Sequence, residues 1–296
     1  MNRLAIIDLG TNTFNLLIVE RKNNAFNELY GERVGVGLGL GGINENRIAP
    51  DAFQRGMETL EAFQEKCREM QVERAEAFGT SAIRNAVNRQ DFLETIQQKT
   101  GLDIHVISGE EEAAYIYKGV TAGLEVTEPF LIMDIGGGST EFIYANTSQM
   151  LKAKSFEVGA ARIFQQFAFS DPFSLADIAK IESYLEKHTA PFFDDIQVNL
   201  LVGASGSFET FYELIIDRRY PAHTYVRPNP GHFMYFVDRM IQSTKAERAV
   251  EDRIIPIRKK MGPIAAVKIR WIIRKLGIDK IMISPNSLKE GVLRDM

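Results

Sequence analysis

The sequence predicts an α/β protein built of two similar domains that face each other across a cleft, and three observations predict it. The chain has 296 residues, more than one ordinary hydrophobic core organises and a good length for two. Short apolar runs alternate with longer amphipathic stretches, which is the pattern of strands interleaved with helices. The third observation is an internal repeat. Residues 4–19 read Leu-Ala-Ile-Ile-Asp-Leu-Gly-Thr-Asn-Thr-Phe-Asn-Leu-Leu-Ile-Val, and residues 130–145 read Phe-Leu-Ile-Met-Asp-Ile-Gly-Gly-Gly-Ser-Thr-Glu-Phe-Ile-Tyr-Ala. Each is an apolar run ending in Asp-apolar-Gly, a small polar turn and a second apolar run. That is a β-hairpin whose first strand ends on an acid and whose tip is glycine or hydroxyl.

The remaining elements follow in order. Residues 50–70 predict a long amphipathic helix with Asp51 near its start, 75–79 a strand, 82–87 the opening of another helix and 104–107 a strand. A helix is expected from about 109 to 123. In the second half, helices over 174–188 and 208–217 flank a buried strand at 199–202. Residues 261–276 predict a helix, 281–284 a last strand and 288–293 a closing helical turn. The joint is expected near 123–128, which assigns residues 1–124 to the first domain and 125–284 to the second.

Composition excludes several classes of function. With 45% hydrophobic and 25% charged residues, the chain has a globular profile, and no window holds the eighteen apolar residues a membrane helix needs. The N-terminus meets Asp8 too early for a signal peptide and reads as a buried strand. The single cysteine, Cys67, excludes an internal disulfide and a cysteine-rich metal site; it is expected half-buried on its helix, and the cytoplasm is the expected compartment. A net charge of -4 gives no basic field for nucleic acid. Only Arg253, Arg258, Lys259, Lys260, Lys268, Arg270, Arg274 and Lys275 make a local excess, read either as a solvated helix face or as phosphate attraction.

The chemistry concentrates at the two tips. Gly136, Gly137 and Gly138 leave backbone N–H groups unshielded and able to converge on an anion, with the hydroxyls of Ser139 and Thr140 beside them. The tip at Thr11, Asn12 and Thr13 is weaker alone and gains from the pairing. Asp8 and Asp134 would repel a phosphate placed against them unless a divalent cation lies between, and Mg²⁺ needs only one or two carboxylates. Glu141 is a third candidate for its shell. Ser108 and Glu111 have the spacing of a capping box, which leaves Glu112 over as the candidate general base. Arg84, in the first turn of a helix, opposes the helix dipole and so suits a ligand. Gly206 and Ser207 sit in a second glycine loop that opens a helix, read either as a phosphate site or as a close-packed turn. By contrast, Gly37–Gly42 matches G-x-G-x-x-G without the helix that a dinucleotide site requires. The histidines His105, His188, His223 and His232 show no metal-ligand spacing.

At these residues the chain resembles the exopolyphosphatase/guanosine pentaphosphate phosphatase family. The resemblance runs from Ala5–Phe14 through Gly79–Arg84, Ile107–Ala113, Asp134–Glu141 and Gly203–Ser207 to Ser284–Gly291. It implies two actin-like (ribonuclease H-like) domains with the active site in the interdomain cleft, and a C-terminal return of about residues 285–296 onto the first domain. It implies Mg²⁺-dependent release of orthophosphate from the end of inorganic polyphosphate, or of the 5′ phosphate of guanosine pentaphosphate. Glu112 would activate water, Arg84 would contact the substrate chain, and Asp134 would act in catalysis and in holding the metal. Against the longer members of that family, the resemblance leads one to expect a short two-domain form without their helical C-terminal extension. Dimers are common in families resembling this one, so a homodimer is open although the sequence does not give the oligomeric state; no nucleic acid or membrane partner is expected. A small-molecule kinase of the same superfold and a non-catalytic polyphosphate or nucleotide sensor are the readings from other classes.

Overall fold

In the computed structural model, residues 2–23, 25–221 and 223–296 are described, with the backbone alone for Asn2. Met1, counted with the first strand above, lies outside them. The described residues form two five-stranded sheets of the same plan. In the first, β1 (Asn2–Leu9), β2 (Phe14–Lys22) and β3 (Ala25–Val34) form an antiparallel meander, and β4 (Arg74–Gly79) and β5 (Ile104–Val106) add in parallel beside β1. In the second, β6 (Phe130–Ile135), β7 (Thr140–Ala145) and β8 (Met150–Phe156) repeat the meander, and β9 (Leu200–Ala204) and β10 (Lys280–Ile283) repeat the parallel pair. The repeated hairpin of the sequence is therefore the β1–β2 and β6–β7 unit of two matching sheets.

The helices are α1 (Pro50–Glu69), α2 (Ser81–Arg84), α3 (Arg89–Thr100), α4 (Gly109–Thr121), α5 (Ala160–Gln166), α6 (Leu175–Thr189), α7 (Ser205–Ile216), α8 (Pro230–Gln242), α9 (Lys245–Ala249), α10 (Pro256–Leu276) and α11 (Leu288–Leu293). Strand alternation decides which layer each residue enters. Ala5, Ile7 and Leu9 pack outward with Leu60 and Phe63 of α1 and Phe92 of α3. Leu131, Met133 and Ile135 pack outward with Ile181 of α6, Val237 of α8 and Ile264 of α10. The opposite phases, Leu4 and Ile6 in one sheet and Phe130 and Ile132 in the other, share one core with Ile116 of α4 and Val292 of α11. The molecule is thus layered helix, sheet, helix, sheet, helix. Its middle layer is α4 and α11.

The C-terminal helix α11 packs against α4. A side chain on Gly291 would lie 1.8 Å from the Tyr115 carbonyl oxygen, and one on Gly119 would lie 2.0 Å from that of Ser287, so α4 and α11 touch backbone to backbone. Lys118 pairs with Asp295 at 2.5 Å across the same seam.

Several boundaries differ from expectation. Only one turn, α2, stands where a helix over 82–87 was expected. The Asn85 N–H takes the Ser81 carbonyl, and the chain turns at Asn88 into α3, whose N-terminal half also holds Phe92 in the core. Helix α7 starts at Ser205 instead of Phe208, directly from the strand. Helix α10 starts at Pro256 instead of Met261, with proline at its first position, where its missing N–H has no partner to lose. Cys67 is fully buried on α1, and burial pushes its thiol up to about 11.

One cap makes a direct stability prediction. Asp177 closes the capping box of α6 and accepts from the Ser174 N–H at 3.0 Å, the Ser174 hydroxyl at 2.8 Å and the Ser170 hydroxyl at 2.5 Å. These donors hold its carboxyl far below the usual range against the cost of burying it. Asp177→Asn is expected to lose about 1–2 kcal/mol in urea unfolding at pH 7. A depressed carboxylate stabilises above its unfolded pKa near 4 and less below it, so the gap to wild type should narrow as pH falls under about 4. A gap that stays constant from pH 7 to pH 3 would refute the cap.

Candidate active site

The alternation that sorts the core also aims the acids. Asp8 shares the phase of Leu4 and Ile6, and Asp134 that of Phe130 and Ile132, so both carboxylates end their strands facing the middle layer. The residue across the hairpin from each is Asn15 for Asp8 and Glu141 for Asp134. Asn15 Nδ2 donates to Asp8 at 2.9 Å, and its own Oδ1 accepts from Arg33 Nε at 3.0 Å. Asp134 accepts from the Ser287 hydroxyl, which caps α11, at 2.7 Å. Glu112 enters the same space from the start of α4. All these groups border one cavity of about 160 Å³, lined also by Thr11–Thr13, Gly136–Ser139 and Ser205–Ser207.

The two tips face each other directly. A side-chain carbon on Gly137 would lie 2.7 Å from the Asn12 amide carbon, and one on Gly138 would lie 2.7 Å from the Thr11 hydroxyl and 2.4 Å from that of Ser81. The glycines are there because the opposing hairpin occupies the space. Each tip also has its carbonyls tied back. Gly159 N–H donates to the Gly138 carbonyl at 3.0 Å, Ala160 to Gly136 at 3.0 Å and Ala161 to Gly137 at 2.8 Å. On the first tip, Gly37 N–H donates to the Asn12 carbonyl at 2.8 Å and Gly39 to Thr11 at 3.0 Å. Among the described residues, no internal hydrogen bond uses the N–H of Thr11, Asn12, Thr13, Gly137, Gly138 or Ser139. Donors without carbonyls beside them form an anion nest. The Gly37–Gly42 loop, which fails as a dinucleotide motif, is the brace of the first tip.

Burial and mutual repulsion govern the carboxylates. Asp8 is pushed up to about 6 by burial, with Lys289 and Asn15 opposing. Glu141 is pushed up to about 7 by burial and then by Asp134 directly across the hairpin, against the hydrogen bond from Ser155 at 2.7 Å. Asp134 is raised by burial. Glu112 is raised well above the usual carboxylate range by burial and by Glu141, while Arg84 opposes the shift. Arg84 Nη1 donates to Glu112 at 2.8 Å and to the Ile107 carbonyl at 3.0 Å, and Nη2 lies 3.6 Å from Glu157.

Arg84 does not border the cavity: its guanidinium orients Glu112 from behind, because Glu112 and Glu157 offer it carboxylates there. Thr140 is also outside the cavity, since its position faces outward with Phe142; its hydroxyl donates to the Ser139 carbonyl and accepts from Lys268. Asp8, Asp134 and Glu141 border one cavity, yet among the described residues no three His, Cys, Asp or Glu side chains group to cage a metal. Gly206 and Ser207 do line it, and Gly206 has a defined reason: a side chain there would strike the Arg258 guanidinium at 1.5 Å.

Sequence reasoning missed Arg33 and Glu157 and did not resolve the basic stretch. Arg33 reaches from β3 to Glu209 of α7 at 2.7 Å, joining the two sides of the cleft. Glu157 accepts from Ser81 at 2.9 Å and Arg162 at 2.7 Å. Within the basic stretch, Arg258 borders the cavity, Lys268 is fully buried, Arg270 pairs with Asp238 at 3.1 Å and Lys275 with Glu186 at 2.9 Å. None of these pairings has a signal in local spacing.

The model of the Ppx/GppA phosphatase family matches residues 17–296, and the chain belongs to that family. The crystal structure of an exopolyphosphatase from Cytophaga hutchinsonii is 34% identical, with a TM-score of 0.96 over 100% of this chain and 97% of that one. The Aquifex aeolicus Ppx/GppA enzyme shares the fold at 24% identity and a TM-score of 0.81, over 100% of this chain and 99% of that one. A guanosine-5'-triphosphate,3'-diphosphate pyrophosphatase of Vibrio atlanticus is 28% identical over 99% of this chain. The chain spans 59% of that relative's length.

Proposed function

We propose that this member of the Ppx/GppA phosphatase family is an exopolyphosphatase that hydrolyses the terminal phosphoanhydride of inorganic polyphosphate and releases orthophosphate. The observation that supports this most is the pair of apposed tips, whose carbonyls are tied back and whose N–H groups are left for an anion, with the Glu112 carboxylate bordering the same cavity. The tips hold the terminal phosphate between the two halves. Glu112, fixed by Arg84, takes a proton from water as the water oxygen attacks the terminal phosphorus. The bridging P–O bond breaks, and the chain leaves one phosphate shorter. A carboxyl raised toward neutral pH suits this transfer, and fixed donors supply the electrostatic part of phosphoryl transfer.

The donor set fits Mg²⁺. Asp8 and Asp134 are hard oxygen ligands whose charges burial makes costly, and Mg²⁺ needs only one or two carboxylates with substrate oxygens and water completing its shell. Glu141 stays with Ser155. When bound, the ion neutralises charge on the phosphate oxygens. Its absence from the buffer gives a test. Between an unfolded pKa near 4 and folded values of about 6 for Asp8 and about 7 for Glu141, the fold holds protons that the unfolded chain has released. Metal-free stability should therefore fall as pH rises through that window, by about 1.4 kcal/mol per unit for each group. Mg²⁺ should raise Tm by several degrees at pH 7.5 and by much less at pH 5. A Tm indifferent to Mg²⁺ at pH 7.5 would remove the metal assignment.

A second substrate is favoured by one observation. The cavity lining also includes Phe211, Met240, Ile254, Ile257, Met261 and Ala265, apolar surface that a bare phosphate chain does not use and a nucleoside would. This supports guanosine pentaphosphate as the alternative, releasing its 5′ phosphate by the same steps. Phosphate release is to be measured in parallel from long polyphosphate, tripolyphosphate, guanosine pentaphosphate and ATP. Release from polyphosphate above the others supports the first reading, and release from guanosine pentaphosphate alone the second. Phosphorylation of a small acceptor by ATP, or binding with no turnover, would replace both with a kinase or a sensor.

A further inference from the structure

Lys268 lies in the middle of α10 with no exposed surface. Its ammonium donates to the Val158 carbonyl at 2.6 Å and to the Thr140 hydroxyl. Among the described residues, no carboxylate comes within salt-bridge distance of it; the acids that act on it are Glu141 and Asp134, on the other face of the sheet. Burial without a counter-charge penalises the ammonium and pushes it down to about 7, and a methionine of similar volume would fill the same space without that penalty. Packing alone gives no reason for the residue.

Its two partners supply one. Thr140 ends the Gly136–Ser139 tip, and Val158 leads into Gly159, Ala160 and Ala161, whose N–H groups hold back that tip's carbonyls. The ammonium therefore joins the tip to its brace, behind the N–H groups that face the cleft. We propose that Lys268 is a positioning residue for phosphate binding: it fixes the second tip in its donor geometry and supplies the positive charge that a bound phosphate lacks on that side. The neutralising partner of this buried cation is then the substrate anion.

The inference rests on the phosphate-clamp reading, and binding separates the two. Inorganic phosphate is titrated calorimetrically against wild type, Lys268→Met and Lys268→Gln, with Tm measured alongside. Both variants should fold, bind phosphate at least about tenfold more weakly, and show a raised KM with kcat changed much less. Gln keeps a donor without the charge, so wild-type affinity in Lys268→Gln would overturn the charge assignment. Wild-type affinity in Lys268→Met would reduce the lysine to a core filler. Should either lysine variant fail to fold, Thr140→Val decides, because it retains the lysine and removes its hydroxyl partner; weaker phosphate binding supports the proposal and unchanged binding contradicts it. Failure of wild type itself to bind phosphate would instead overturn the clamp.

Discussion

Glu112→Gln is expected to lower kcat by about 10³-fold while leaving the Kd for substrate within a few-fold of wild type. Glutamine keeps the volume and an acceptor for Arg84 but cannot take the proton of the attacking water. Two structural terms act on the variant in opposite directions. Arg84 loses an ionic partner at 2.8 Å, yet retains the Ile107 carbonyl at 3.0 Å and Glu157 at 3.6 Å. Glu141 loses the repulsion of a buried neighbour. The fold should therefore survive, and single-turnover kinetics beside equilibrium binding reads the chemical step alone. Loss of binding in parallel with turnover would show that Glu112 acts on the substrate or on the fold, and not on water.

Gly138→Ala is the second large effect. Its added carbon would stand 2.4 Å from the Ser81 hydroxyl and 2.7 Å from the Thr11 hydroxyl, both buried groups with little room to retreat. The hairpins must then part or the tip must twist, and either displaces phosphate donors by several tenths of an ångström. Overpacking of this kind costs about 1–3 kcal/mol of stability, while misplacement on the ångström scale costs about 10²-fold in turnover. The activity loss should exceed what the small unfolded fraction explains. Gly231→Ala is the control: it lies exposed in the first turn of α8, its nearest contact is 3.3 Å away, and it should leave kcat/KM unchanged. Full activity in Gly138→Ala would mean that the tips do not need to meet.

Much of this was legible in the sequence because it is local. An apolar run closed by Asp-apolar-Gly shows a hairpin, and its recurrence shows the second sheet. Period-two alternation is enough to place Asp8 and Asp134 on one face, and the capping box of Ser108 with Glu111 leaves Glu112 as the inward acid. What was not legible depends on contacts distant in sequence. Strand β3 is an edge strand exposed along most of its length, so it has no apolar signature, and Arg33 at its end passed unremarked. The dipole position of Arg84 points to a ligand, but its carboxylate partner Glu112 lies 28 residues away and has no local signal. Lys268 looked like one of a run of solvated cations, since helical spacing cannot show that α10 turns that position onto the second sheet. The Gly37–Gly42 loop was rejected for the correct reason, and its bracing role appears only when the Thr11 and Asn12 carbonyls are seen to need donors.

The central claim is that water attacks the terminal phosphorus of the chain held between the two tips. Hydrolysis of tripolyphosphate in ¹⁸O-water, with products resolved by mass spectrometry, tests it most directly. The account predicts one ¹⁸O in the released orthophosphate and none in the pyrophosphate. Label in the pyrophosphate would place the attack on the inner phosphorus, and orthophosphate free of label would mean that water is not the nucleophile at the terminal phosphate; either result contradicts the mechanism.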